Sequence, residues 1–76
     1  MKTMKSLLPG QKGTISEISD ECLLKIRLTD IGFTPDEPVL CLMQSPLGDP
    51  KLYFVKGAAY AVRNRDADRI ILYDNE

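Results

Sequence analysis

The stretch Val39–Gly57, VLCLMQSPLGDPKLYFVKG, decides how the chain is read. Two apolar runs, VLCLMQ and KLYFVK, flank SPLGDP at residues 45–50. Each run has strand length, and the second is rich in the aromatic and β-branched residues that strands favour. In the segment between them, Pro46 suits the second position of a type I turn and Gly48 the fourth. Pro50 restricts Asp49 to extended backbone. The stretch is therefore a hairpin with a stiffened loop. A phosphate cradle would need several glycines leading into a helix, and here a strand follows.

Working outward, LLPGQKG at residues 7–13 is rich in turn formers, and TISEIS, with Ile15 and Ile18 apolar, reads as a first strand. ECLLKIRLTDIG fits both periods. Cys22, Leu24, Ile26 and Leu28 alternate, whereas Leu24, Leu28 and Ile31 follow helical spacing. Punctuation favours the helix. Ser19 or Asp20 is placed to cap its start, Gly32 to end it, and Leu24, Leu28 and Ile31 form its buried face. TPDEP is a second turn, GAAYAVRN a fourth strand, RDADR a polar break of about one helical turn with Asp66 as its cap, and IILYD a last strand. Five short strands and one short helix predict an all-β fold, a small barrel closed to protect its strand edges. With 76 residues and no linker, residues 1–76 form one domain.

Composition narrows the function. Ten Lys and Arg against 11 Asp and Glu leave a net charge of −1, so there is no basic field for nucleic acid. The longest wholly apolar run, Val39–Met43, has five residues, against the ~20 that a membrane span needs. Direct membrane insertion is not expected, and the N-terminus has no secretory apolar segment. The chain has no histidine, which removes Ser-His-Asp and Cys-His catalysis and the histidine-based zinc and iron sites. Ser6, Thr14, Ser16 and Ser19 accordingly have no imidazole base. Cys22 and Cys41 are 19 residues apart and read as buried thiols in a reduced compartment. Asp66 and Asp68 lie between Arg65 and Arg69 and read as a solvated turn with local ion pairs. No catalytic, cofactor-binding or metal-ligating residue is assigned, and no tightly bound cofactor is expected.

Side-chain alternation makes the hairpin unusual. Val39, Cys41 and Met43 fall on one face of its first strand, Leu40 and Leu42 on the other; on the return, Tyr53 and Val55 oppose Leu52 and Phe54. Both faces are apolar, whereas a strand with one wet face alternates apolar and polar.

Five segments carry a family resemblance in order along nearly the whole chain: LLPGQKGTI, RLTDIGFTP, SPLGDP, VKG and VRNRDADRI. The spacing of RLTDIGFTP from PLGDP, which starts eleven residues after its end, is the most specific feature. The sequence resembles the FeoA family, the small ferrous iron transport proteins A. It departs at Asp36, where the family commonly has glycine, and at Lys51, a position often apolar in relatives. The resemblance implies an SH3-like barrel. It also implies a non-catalytic cytoplasmic accessory protein that docks onto FeoB, a membrane GTPase transporter for ferrous iron, and reaches the membrane only through that partner. The alternative is a metal- or effector-sensing domain, because the same barrel ends metal-dependent repressors; within these 76 residues no helix-turn-helix precedes it. The resemblance assigns Val39, Cys41, Tyr53 and Val55 to the interior. Leu40, Leu42, Leu52 and Phe54 then lie outside, beside the loop tip at Leu47. Either the helix from Leu23 to Ile31 or the N-terminal SLLP covers them, or they form an exposed patch for the transporter or for a weak homodimer. Phe54 is the expected anchor of that patch.

Overall fold

In the computed structural model, residues 1–19 and 24–74 are described. Five antiparallel strands form one curled sheet: β1 (Lys12–Ile18), β2 (Pro38–Gln44), β3 (Lys51–Val55), β4 (Ala58–Val62) and β5 (Ile70–Leu72), in the order β4-β3-β2-β1-β5. Two short helices interrupt them, α1 (Lys25–Ile31) and α2 (Asn64–Ala67). The mainly β expectation holds, as do all five strands, the helix and the helical turn. In the pairing order β4 and β5 are the two end strands.

The apolar pattern explains the core. Ile15 and Ile18 of β1, Val39 and Cys41 of β2, Tyr53 and Val55 of β3, and Ile70 and Leu72 of β5 all point inward and are buried. Gly13 allows a close approach: a Cβ there would sit 2.9 Å from Leu72 Cδ1, and the buried Leu72 side chain would have to shift. Phe33, just after α1, is fully buried and meets Tyr60 edge-on at 6.1 Å. Asp36 has a left-handed φ of 68°, a conformation that glycine adopts without strain and aspartate tolerates. Its carboxylate accepts the Tyr73 hydroxyl at 2.8 Å.

Helix α1 differs in detail from its expectation. Leu28 is buried and Leu24 packs on the core, but Ile31 is 37% exposed, so the buried face is narrower than the spacing predicts. Ser19 does not cap the helix; its N–H donates to Arg69 O at 2.8 Å and prolongs the pairing of β1 with β5. Leu24 stands at the cap without a side-chain bond, and Gly32 ends the helix at φ 121° as expected. Asp20, Cys22 and Leu23 lie outside the described residues. Asp66 does not start the second helical turn either. Arg63 is the cap, Asp66 lies within α2, and Ala67 is fully buried, so this segment is packed rather than simply solvated.

The N-terminus holds an unexpected element. Met4–Ser6 form a 3-10 turn that places Met4 and Leu7 in the core. Lys51 is buried beneath it, and its ammonium donates to Lys5 O at 2.6 Å and Leu7 O at 3.0 Å. The Tyr53 hydroxyl donates to Met4 O at 3.3 Å. Lys51 is thus a buried cap for the turn's carbonyls, where the sequence suggested only a more polar strand entry.

Candidate functional site

The outer face of β2, β3 and β4 is built by register. Leu40 pairs with Phe54 and Phe54 with Ala59; Met43 pairs with Leu52 and Leu52 with Ala61. Directly opposed residues share a face, so these six side chains form two apolar rungs across three strands. A bulge between Cys41 and Met43 sets the second rung. It inserts one residue, Leu42, and reverses the alternation beyond it. Met43 therefore does not share the inner face with Val39 and Cys41, as strict alternation predicts. It is 57% exposed on the outer face, and Leu42 is 39% exposed at the bulge.

Of the five residues singled out from the sequence, Leu40, Leu52 and Phe54 come together on this face, Leu42 sits at its bulge, and Leu47 stands apart at the loop tip, 94% exposed. Met43, Ala59 and Ala61 complete the surface and were not anticipated. A bulge within an all-apolar run leaves no mark in the sequence, and alanines carry little pattern. Among the described residues, neither expected cover lies over this face. Leu28 and Leu24 of α1 join the core on the inner side, while Leu7 of SLLP enters the core and Leu8 stays exposed. Phe54, at 42% exposure, is left open to solvent. It lines a groove of about 160 Å³ with Leu40, Pro38 and Lys12, edged by Glu37 and Lys56, which pair at 3.7 Å.

The loop is held firmly. Gly48 N–H donates to Ser45 O at 2.8 Å, the expected four-residue turn, and Ser45 N–H donates to Pro50 O at 3.1 Å. The Asp49–Pro50 peptide is cis. Asp49 Oδ1 accepts the backbone N–H of Asn64 at 2.8 Å, and Asn64 Nδ2 donates to Gly48 O at 3.1 Å. The loop thereby caps the first turn of α2, and its apolar tip projects from a fixed base.

The polar interior offers little chemistry. Burial pushes the Cys41 thiol up, with the Lys51 ammonium opposing in part, which favours the unreactive protonated form. Burial also raises the Tyr53 phenol, with Cys41 and Asp49 adding to the effect. Among the described residues, no group of three or more cysteines and carboxylates is placed to hold a metal. The Asp68 carboxylate accepts the Thr3 hydroxyl at 3.1 Å. No described helix is long and apolar enough to cross a membrane.

A sequence-family profile described as the FeoA domain matches residues 2–73. No curated protein sequence matches the chain. Among solved structures, the zinc complex of FeoA from Stenotrophomonas maltophilia, described as an SH3 domain protein possibly acting as a ferrous iron transport activating factor, superposes with a TM-score of 0.85 at 22% identity, over 96% of this chain and 91% of that one. Iron(II) transport protein A from Clostridium thermocellum gives 0.86 at 28% identity, over 93% of this chain and 44% of that one. A manganese-dependent transcriptional repressor gives 0.83 at 19% identity, over 93% of this chain but 35% of the repressor. The fold is therefore SH3-like.

Proposed function

The chain belongs to the FeoA family, a group of ferrous-iron-transport-related SH3-like domains, and from that premise we propose that it is a non-catalytic, cytoplasmic accessory protein that docks onto a FeoB-type membrane GTPase transporter and modulates it. The observation that carries this reading is the uncovered outer face, with Leu40, Phe54, Met43 and Leu52 presented across β2 and β3. Contiguous apolar surface on a small domain marks a protein-binding site, and an aromatic residue at its centre is the usual anchor. Leu42 and the fixed loop tip at Leu47 extend the same surface. Ferrous iron is then the transporter's cargo rather than a ligand of this chain. Capture of the detergent-solubilised FeoB-type transporter from the same organism is the test. Phe54→Ser should lower capture at least tenfold while the far-ultraviolet circular dichroism stays unchanged, because Phe54 is not a core residue. Undiminished capture by the folded variant would remove the outer face from the interface.

The likeness to the manganese-dependent repressor supports a second reading, a metal- or effector-sensing domain. Titration with ferrous or manganous ion separates the two. A stoichiometric site of micromolar affinity favours the sensor, and heats no larger than dilution favour the docking module.

A further inference from the structure

The fold treats its two sheet edges differently. Beside β5 lies the N-terminus: Thr3 bridges Ile71, and Leu72 N–H donates to Lys2 O at 2.9 Å. Beside β4 no described segment does the same. The turn between β3 and β4 shows which groups this leaves bare. Lys56 and Gly57 have left-handed φ values of 46° and 81°, the geometry of a two-residue hairpin turn. In such a hairpin the flanking pair exchanges hydrogen bonds, and the exchange recurs at every second pair. Val55 with Ala58, Tyr53 with Tyr60, and Lys51 with Val62 are those pairs. The N–H and C=O groups of Ala59 and Ala61 consequently point out of the sheet edge, and neither residue has a backbone partner there among the described residues. Exposed edges are normally blunted by charge, proline or a bulge, and AAYAV has none of these.

A groove of about 500 Å³ runs along this edge, between β4, α1 and the start of α2. Leu24, Leu28, Ile31 and Tyr60 give it an apolar floor, and Ile31 is exposed because it faces this space. Among the described residues, Arg27, Arg63 and Arg65 line it, against a single carboxylate, Asp66. None of the three arginines forms an ion pair with a described residue. We propose that the groove takes an extended acidic peptide as a sixth strand, paired to the backbone of Ala59 and Ala61, with apolar side chains on the floor and carboxylates meeting the arginines. Main-chain pairing supplies affinity and the groove supplies selectivity, as in other cases of strand addition. A second copy of this chain fits less well. Its β4 brings no carboxylate and is followed by Arg63, so it would add positive charge to a cationic groove.

The edge shares Ala59 and Ala61 with the outer face invoked for the transporter, but Arg27, Ile31, Arg63 and Arg65 belong to the groove alone, so charge preference and arginine reversal test it apart from that reading. The probes are fluorescein-labelled nonapeptides alternating valine with glutamate, and the same peptides with lysine for glutamate, titrated into the full chain labelled with nitrogen-15. The glutamate peptide should bind at least tenfold more tightly than the lysine peptide, and the Ala59 and Ala61 amides should gain at least tenfold protection from exchange. Ala61→Pro removes an outward N–H without touching the β3 ladder and should weaken binding at least tenfold. Should that variant unfold, the pair Arg27→Glu and Arg63→Glu decides, because it should invert the charge preference. Equal or absent binding of the two peptides overturns the proposal, and so does protection at Leu40, Leu52 and Phe54 instead of β4. A self-dimer that dissociates on Ala61→Pro and excludes the glutamate peptide overturns it in favour of a second copy.

Discussion

Replacing Lys51 by methionine would remove the buried ammonium while keeping most of the volume of its stem. Two opposing terms set the outcome. The ammonium donates to Lys5 O and Leu7 O, and of these two bonds the one to Leu7 is buried and the one to Lys5 partly so. A carbonyl left buried without a partner costs about 1–3 kcal/mol, and one that water can reach costs much less. Against this, methionine avoids holding a charge out of water with no carboxylate beside it, which offsets part of the loss. Since Leu7 is 1% exposed, its orphaned carbonyl dominates, and we expect a net loss of about 1–3 kcal/mol. For a domain of this size with ~5 kcal/mol of total stability, that is a large fraction. Urea denaturation gives the total, and hydrogen exchange gives the location. The amides of Leu7 and Leu72, which bond Met4 O and Lys2 O, should exchange about tenfold faster for each 1.4 kcal/mol of local loosening, whereas strand amides remote from the turn change only with global stability. An unchanged or raised urea midpoint with unaltered exchange at Leu7 would refute the reasoning, because desolvation of the charge would then outweigh its bonds.

Three further outcomes are expected. Leu28→Ala should cost about 2–5 kcal/mol by opening a cavity under α1, while Ile31→Ala should stay within about 0.5 kcal/mol; similar urea midpoints for the two would show that the helix does not hang on Leu28. Asp49→Ala should cost about 1 kcal/mol by uncapping α2 and should broaden the Leu47 methyl resonances; sharp, unshifted methyl signals would mean that the loop is rigid without that bond. Burial raises the Cys41 thiol and the Tyr53 phenol above their ordinary values of 9.0 and 10.0. The unfolded chain therefore gives up these protons at lower pH than the folded one, so the stability present below pH 9 is lost as pH rises through the folded values. Urea midpoints measured between pH 8 and pH 11 should fall in the parent and fall less in Tyr53→Phe; equal slopes would dismiss the phenol as a contributor.

The hairpin was legible because SPLGDP names its own turn: Pro46 and Gly48 leave few alternatives, and the observed Ser45–Gly48 bond is the one they demand. Strand pairing was legible from the two apolar runs. The composition of the outer face was legible only in part. Alternation located Leu40, Leu52 and Phe54, but in a run apolar at every position the inserted residue cannot be identified, and Met43 was placed on the wrong side. The burial of Lys51 was hidden for a different reason. A lysine at a strand entry reads as solvent-facing until tertiary structure brings the carbonyls of a 3-10 turn over it. The turn itself, MKS, has no periodic signal at three residues. The open edge at β4 depended on topology, since no local pattern reveals whether a terminal strand finds a neighbour.

The pairing of Thr3 with Ile71 has a consequence for the geometry of linkage. Lys2 N–H also donates to Asp74 Oδ1 at 2.8 Å, so the chain enters and leaves at one point on the rim. A domain whose two ends meet can be spliced into a host loop, or reconnected from Asp74 to Lys2 and opened elsewhere, without stretching its frame. That point lies at the β5 end of the sheet, with three strands between it and β4. Whatever is attached at either end, whether a label, a tether or another domain, hangs from the β5 end of the sheet.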